Sequence, residues 1–100
     1  MTLFVQSIVS LLISFICLAN LAEARPARQS STYTHRGKLL DAHLAVDGDT
    51  EQELDVSMSC THTHGSPNTL WWWVDLGQIC FLYEIIIVNR IGHGGNALIL

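Results

Sequence analysis

Residues 70–88 read LWWWVDLGQICFLYEIIIV, and this stretch decides the fold class. Residues 71–76 and 81–88 are two runs rich in aromatic and β-branched side chains, the kinds that pack well on a pleated surface. Gly77 and Gln78 lie between them, so the pair reads as two strands and a connection. Alternation along the first strand puts Trp71 and Trp73 on one face and Trp72 on the other. Burying an aromatic of this size stabilises a small domain by roughly 2–3 kcal/mol. Packing is therefore the expected role of the tryptophans, and Asp75 is expected to be a structural hydrogen-bonding acid. The run IIIV is expected to be buried on both faces.

Working outward, residues 63–69 hold Gly65, Pro67 and Asn68, which is turn chemistry. Residues 49–58 are acidic with scattered apolar positions and read as loop. KLLDAHLAVDG, residues 38–48, carries a short and weak helical pattern ended by Asp47-Gly48. Residues 25–34 are polar and turn-rich, with Pro26 barring a helix interior. On the other side, IGHGGNALIL opens on glycines and closes apolar. The result is an all-β chain with one helical turn, for which a β-sandwich is the natural container. Fewer strands are legible than a sandwich needs, so the expectation is a truncated one.

Composition sets the outer bounds. The chain has 100 residues, 49% hydrophobic and 14% charged, with a net charge of −4. That is one domain at most, and the lack of a basic patch excludes nucleic acid as the expected partner. LFVQSIVSLLISFICLANLA, residues 3–22, carries no charge and leads into Ala22-Glu23-Ala24. An apolar core ending in a small-x-small step is a cleavage pattern, so residues 1–24 read as a secretory signal peptide. The alternative is an uncleaved anchor, since about 20 apolar residues span a bilayer. The remainder, residues 25–100, has no run long enough to cross a membrane and is expected to be secreted and extracellular. Cys17 leaves with the leader; Cys60 and Cys80 remain where disulfides persist and could pair with each other.

The segment SCTHTHGSPNT raises the question of a site. His62 and His64 are two apart and share a face in extended chain, and His93 would be a third zinc ligand. The sequence has no H-E-x-x-H and no Cys-x-x-Cys, so a metal hydrolase is the minor reading and no enzymatic activity is expected.

Taken in order, ARQSSTY, AHLAVDGDT, SCTHTHGSPNTLWWWVDLG and IIIVNR resemble the F-type lectins, or fucolectins. The resemblance runs from about residue 26 to residue 90 and covers the N-terminal half of a family domain. It implies a jelly-roll, discoidin-like β-sandwich, a bound structural calcium and recognition of fucosylated glycans, as in innate defence. The family motif is a His, a long interval, Arg-x-Asp, and then Arg or Lys-x-Leu. His62 follows the Ser-Cys-Thr step and Arg90 follows Asn at a strand end, so these two positions match the sugar-binding residues. A guanidinium suits that task because its donors are fixed and always charged. After Arg90 the motif Asp falls on Gly92 and the second base on Ala97. Losing a charged hydrogen bond of roughly 1.5–3 kcal/mol implies fucose binding weakened by about one to two orders of magnitude. The resemblance places calcium on the Leu44 carbonyl, the Asp47 carboxylate, the Asp49 backbone oxygen and Ser59, hard oxygen donors around a glycine turn. It pairs Cys60 with a later cysteine.

The expected function is thus a secreted carbohydrate-binding module. The alternatives are a discoidin-type adhesion or lipid-binding module, which shares the fold, and a fragment that binds nothing. The strand 81–88 lacks a legible partner, which makes self-association into a homo-oligomer an expectation.

Overall fold

A computed structural model describes residues 2–5, 7–8, 10–14, 20–82, 84–91 and 98–99. Strands dominate, with little helix. They are β1 (Thr2–Val5), β2 (Ser7–Ile8), β3 (Ser10–Ser14), β4 (Ala27–Gln29), β5 (Thr34–His35), β6 (Lys38–Leu39), β7 (Thr61–His62), β8 (Trp72–Val74), β9 (Glu84–Val88) and β10 (Leu98–Ile99). The largest sheet runs β10-β1-β8-β4, and the other pairs are β2 with β7, β3 with β9, and β5 with β6.

Strand β8 is the centre of the fold. Trp72 and Val74 are fully buried, while Trp71 and Trp73 are half-buried, so the two faces separate as alternation expects and the fold buries that of Trp72. The Trp72 indole N–H donates to the Ala42 carbonyl at 2.9 Å, so its one polar atom is satisfied inside the core. Around it pack Ile8, Ala22, Ala42, Ala45 and Val46. A second cluster joins Leu40, Leu44, Leu54 and Cys60. The weak helical pattern appears as a 3-10 turn, Ala42–Ala45, which feeds alanines to one cluster and Leu44 to the other. The Asp41 carboxylate caps that turn by accepting from the His43 N–H at 3.2 Å.

Four expectations change. The segment 49–58 is not all loop: Leu54–Ser57 forms one turn of α-helix, α1, which buries Leu54. The strands are shorter than their apolar runs, and Ile79 and Phe81 lie exposed in the connection between β8 and β9. Strand β9 is not buried on both faces, since Ile85 and Ile86 are 39% and 41% exposed. Periodicity reports that a strand is apolar, and the number of layers laid over it is a tertiary matter. Finally, a two-residue hairpin joins β5 to β6, pairing Thr34 with Leu39 and His35 with Lys38. Arg36 and Gly37 make the turn with φ of 49° and 80°, the left-handed pair that matches strand twist.

The apolar N-terminal segment is built into the sheets. Leu3 pairs with Trp72, Ile8 with Thr61, and Ser10 to Ser14 lie antiparallel along β9 from Val88 to Glu84. Ile8 and Ser10 are fully buried, and the Ser10 hydroxyl has no hydrogen-bond partner among the described residues. A buried unpaired hydroxyl costs about 1–3 kcal/mol. Residues 23–26 are exposed and cross two glycine turns. A Cβ on Gly48 would stand 2.7 Å from Glu23 Oε1, and one on Gly77 would stand 2.8 Å from an Arg25 guanidinium nitrogen. Both glycines have positive φ, so conformation and space each require glycine there. Asp75 has the structural role expected of it: its carboxylate accepts from the Gly77 N–H at 2.8 Å and closes the second turn.

Among the described residues no helix is long and apolar enough to cross a membrane. Nor does a disulfide join Cys60, which is buried, to Cys80, which is half-buried.

Candidate functional site

The β5–β6 hairpin folds back onto β7, and three backbone hydrogen bonds fix it there. Tyr33 N–H donates to His62 O at 2.9 Å, His62 N–H to Leu40 O at 2.9 Å, and Leu40 N–H to Tyr33 O at 3.0 Å. The Gln29 side chain ties β4 into the same knot, donating to Leu40 O at 3.1 Å and His62 O at 3.3 Å. Its carbonyl oxygen accepts from the Thr61 hydroxyl. These bonds fix β4, the hairpin and β7 against one another.

The consequence is a group of imidazoles around one phenol ring. His62 lies 4.7 Å from the Tyr33 ring centroid, His64 5.9 Å and His35 6.5 Å, all tilted rather than stacked. His64 is anchored by its backbone, whose N–H donates to the Ser31 hydroxyl at 2.8 Å. The His35 Nε2 meets the Asp55 carboxylate at 3.0 Å, and the Arg36 guanidinium reaches the same carboxylate at 3.4 Å. The hydrogen bond from His35 holds the Asp55 carboxyl below its ordinary range, with Arg36 and Arg90 adding to the effect.

His62 is half-buried, and its Nδ1 contacts the Thr63 carbonyl. Nδ1 therefore carries the proton and Nε2 is left as an acceptor. Burial pushes the His62 pKa down; the Thr63 carbonyl opposes that, while the charges of Arg90, His64 and His35 push it further down. His62 is thus a neutral imidazole near neutral pH. Arg90 lies at the end of β9, where Gln52 pins the strand by donating to Asn89 O at 2.9 Å and accepting from Ile91 N–H at 3.2 Å. Its Nε is buried with no hydrogen-bond partner among the described residues.

Of the two residues singled out from sequence, His62 sits against Tyr33, while Arg90 is linked to the group only through its charge, which lowers the pKa of His62 and of Asp55. Tyr33, His35, Arg36 and Asp55 complete the group and were not singled out. The signal for them was the Arg-Gly pair between polar residues of strand character, a weaker hairpin mark than Asn-Gly. Gly92, His93 and Ala97 lie outside the described residues. The alternation of His62 and His64 does put them on one face, against the same ring. Even so, no group of three or more His, Cys, Asp or Glu is placed to hold a metal among the described residues.

Of the four calcium positions, two are in contact: the Ser59 hydroxyl donates to the Asp47 carboxylate. The other Asp47 oxygen accepts from the Asp49 N–H at 2.9 Å, and the Asp49 carboxylate turns to the Glu51 N–H, also at 2.9 Å. Asp47 and Asp49 lie on one turn, with Ser59 against it, and all three carry hard oxygen donors of the kind calcium takes.

Over 72 residues, 71% of its length, the chain is 36% identical to Fucolectin-1 of Anguilla japonica. The match covers 39% of that protein, so the chain spans about two-fifths of the length of this relative. The similarity is partial and distant, and it is to a protein named as a lectin rather than as an enzyme. No family description matches the sequence, and no solved structure matches the chain.

Proposed function

We propose that the protein is a secreted, non-enzymatic carbohydrate-binding module of the F-type lectin kind, with a jelly-roll sandwich as its complete architecture and fucosylated glycans as its ligands. The observation that supports this reading is the seating of the motif-matched His62 against the exposed Tyr33 ring at 4.7 Å, with Arg90, 28 positions on in sequence, close enough for its charge to act on that imidazole. A neutral imidazole with Nε2 as acceptor and a guanidinium as donor offer complementary bonds to sugar hydroxyls and a ring oxygen. Calcium held by the Leu44 carbonyl, Asp47, the Asp49 backbone oxygen and Ser59 would brace that turn. Recognition of surface glycans in innate defence is the biological setting this reading implies.

The test is retention on immobilised fucose by a form that carries the complete lectin domain. Arg90→Ala is expected to lower affinity by about tenfold or more, the equivalent of one charge-assisted hydrogen bond, and His62→Ala by about tenfold or less, the equivalent of one neutral one. Secretion and the circular-dichroism spectrum should be unchanged. Retention of both variants at the parental level would rule the assignment out.

Secretion has its own check. Ala24 and Arg25 are exposed, Ala24 sits in the left-handed region at φ 60°, and the small-x-small step ends there. The buried, unpartnered Ser10 hydroxyl also suits a segment selected for export better than one selected for a core. Edman sequencing of material from the culture medium should begin at Arg25. Recovery of the protein in the membrane fraction with Met1 in place would reverse this reading.

A further inference from the structure

Strand β9 has an edge that the described residues leave open. Its only strand partner among them is β3, so the two form a ribbon by themselves. A two-stranded ribbon is marginal in water and gains stability when a third strand or another layer is added. One end of β9 is seated: Ile87 packs against the Trp72 cluster and Val88 against the Leu40 cluster. Toward the other end Ile85 and Ile86, which alternation puts on opposite faces, are both exposed. Ile79, Phe81 and Leu82, just before the strand, are exposed as well. Apolar edges of this kind are usually blunted by charge or proline. Residues 84–88 carry a single charge, that of Glu84, and no proline. Past Val88 the backbone of Asn89 and Ile91 is already bonded to Gln52, so the open stretch ends there.

We propose that a second copy of this chain fills that edge: two β9 strands pair antiparallel along residues 84–88, with Ile86 facing Ile86 across a two-fold axis, and make a four-stranded sheet β3-β9-β9-β3. The charges select this register. Each Glu84 stands opposite Val88 of the other copy and diagonal to its half-buried Arg90, an opposite charge within reach of a long side chain. The two Glu84 carboxylates are then offset by about 14 Å along the strands, beyond the Debye length of about 8 Å at physiological salt. An axis through Glu84 would instead set like charges face to face. A two-fold seam closes on itself, so this pairing yields a dimer and not a filament.

Analytical ultracentrifugation and oxidative cross-linking of the full chain test the proposal. A seam of this size lies at the weak end of interfaces, so the sedimenting mass is expected to double between about 1 and 100 μM. Ile86→Lys sets two ammonium groups across the axis and should lower the association constant about tenfold. Ile86→Cys sets two thiols on the axis, with Cα atoms about 4.5–5.5 Å apart, and should give a disulfide-linked dimer on mild oxidation. In Ile85→Cys the two positions are diagonal, about 7–8 Å apart, and no more dimer should form than in the parental chain with its own cysteines. The cross-link decides if the Lys variant does not fold. A monomer at every concentration would overturn the proposal and leave the edge to a different chain. Equal cross-linking at positions 85 and 86, or a mass that rises past that of two chains, would overturn it in favour of unspecific pairing.

Discussion

Trp72→Ala is expected to remove most of the stability of the chain, at a cost of about 3–5 kcal/mol. Folded domains of this kind have about 5–15 kcal/mol in all, so the loss is a large share. The ring is fully buried among Ile8, Ala22, Ala42, Ala45, Val46 and Val74, which come from four separate parts of the chain. A cavity there cannot collapse without moving the 3-10 turn and β2 together. Two controls separate the contributions. Trp72→Phe keeps most of the apolar area and leaves the Ala42 carbonyl without its 2.9 Å donor, so its cost should be about 1–3 kcal/mol. Trp73→Ala, on the half-buried face, should cost less than Trp72→Ala. Urea denaturation followed by tryptophan fluorescence reads all three. Equal midpoints for Trp72→Ala and Trp73→Ala would show that the face assignment is wrong.

The second large effect is expected on removing residues 1–24. Cleavage takes β1 from the edge of β8, β2 from β7 and β3 from β9. It also removes Ile8 and Ala22 from the core around Trp72, and a fully buried isoleucine alone contributes about 1.5–3 kcal/mol. Strand β9 would then present Ile85, Ile86 and Ile87 on an edge with its backbone groups unpaired, which is the usual template for pairing with other chains. Residues 25–100 prepared alone, with calcium and fucose present, are expected to elute from size exclusion as oligomers or aggregate and to melt without a cooperative transition. A monodisperse monomer with a sharp melt would show that the N-terminal strands are dispensable and that these residues hold together by themselves.

Some of this was determined by the sequence alone, and the reason is periodicity. Alternation along a pleated strand puts Trp71 and Trp73 on one face and Trp72 and Val74 on the other, and it took the tertiary structure to choose the second face for burial. The Asp47-Gly48 turn and the cap on Gly77 by Asp75 are equally local, being made by groups two residues apart or less. His62 and Arg90 were legible as a pair through motif resemblance. Other features were decided by tertiary structure. An uncharged apolar run has the composition of both an exported leader and a strand, so residues 2–14 could be read from sequence as the first, while the full chain pairs them as the second. Whether IIIV is covered on one face or two depends on how many layers the chain brings over it. The ring of His35, His62 and His64 around Tyr33 exists because a hairpin folds back over a strand far along the chain, and no local pattern encodes a contact of that range.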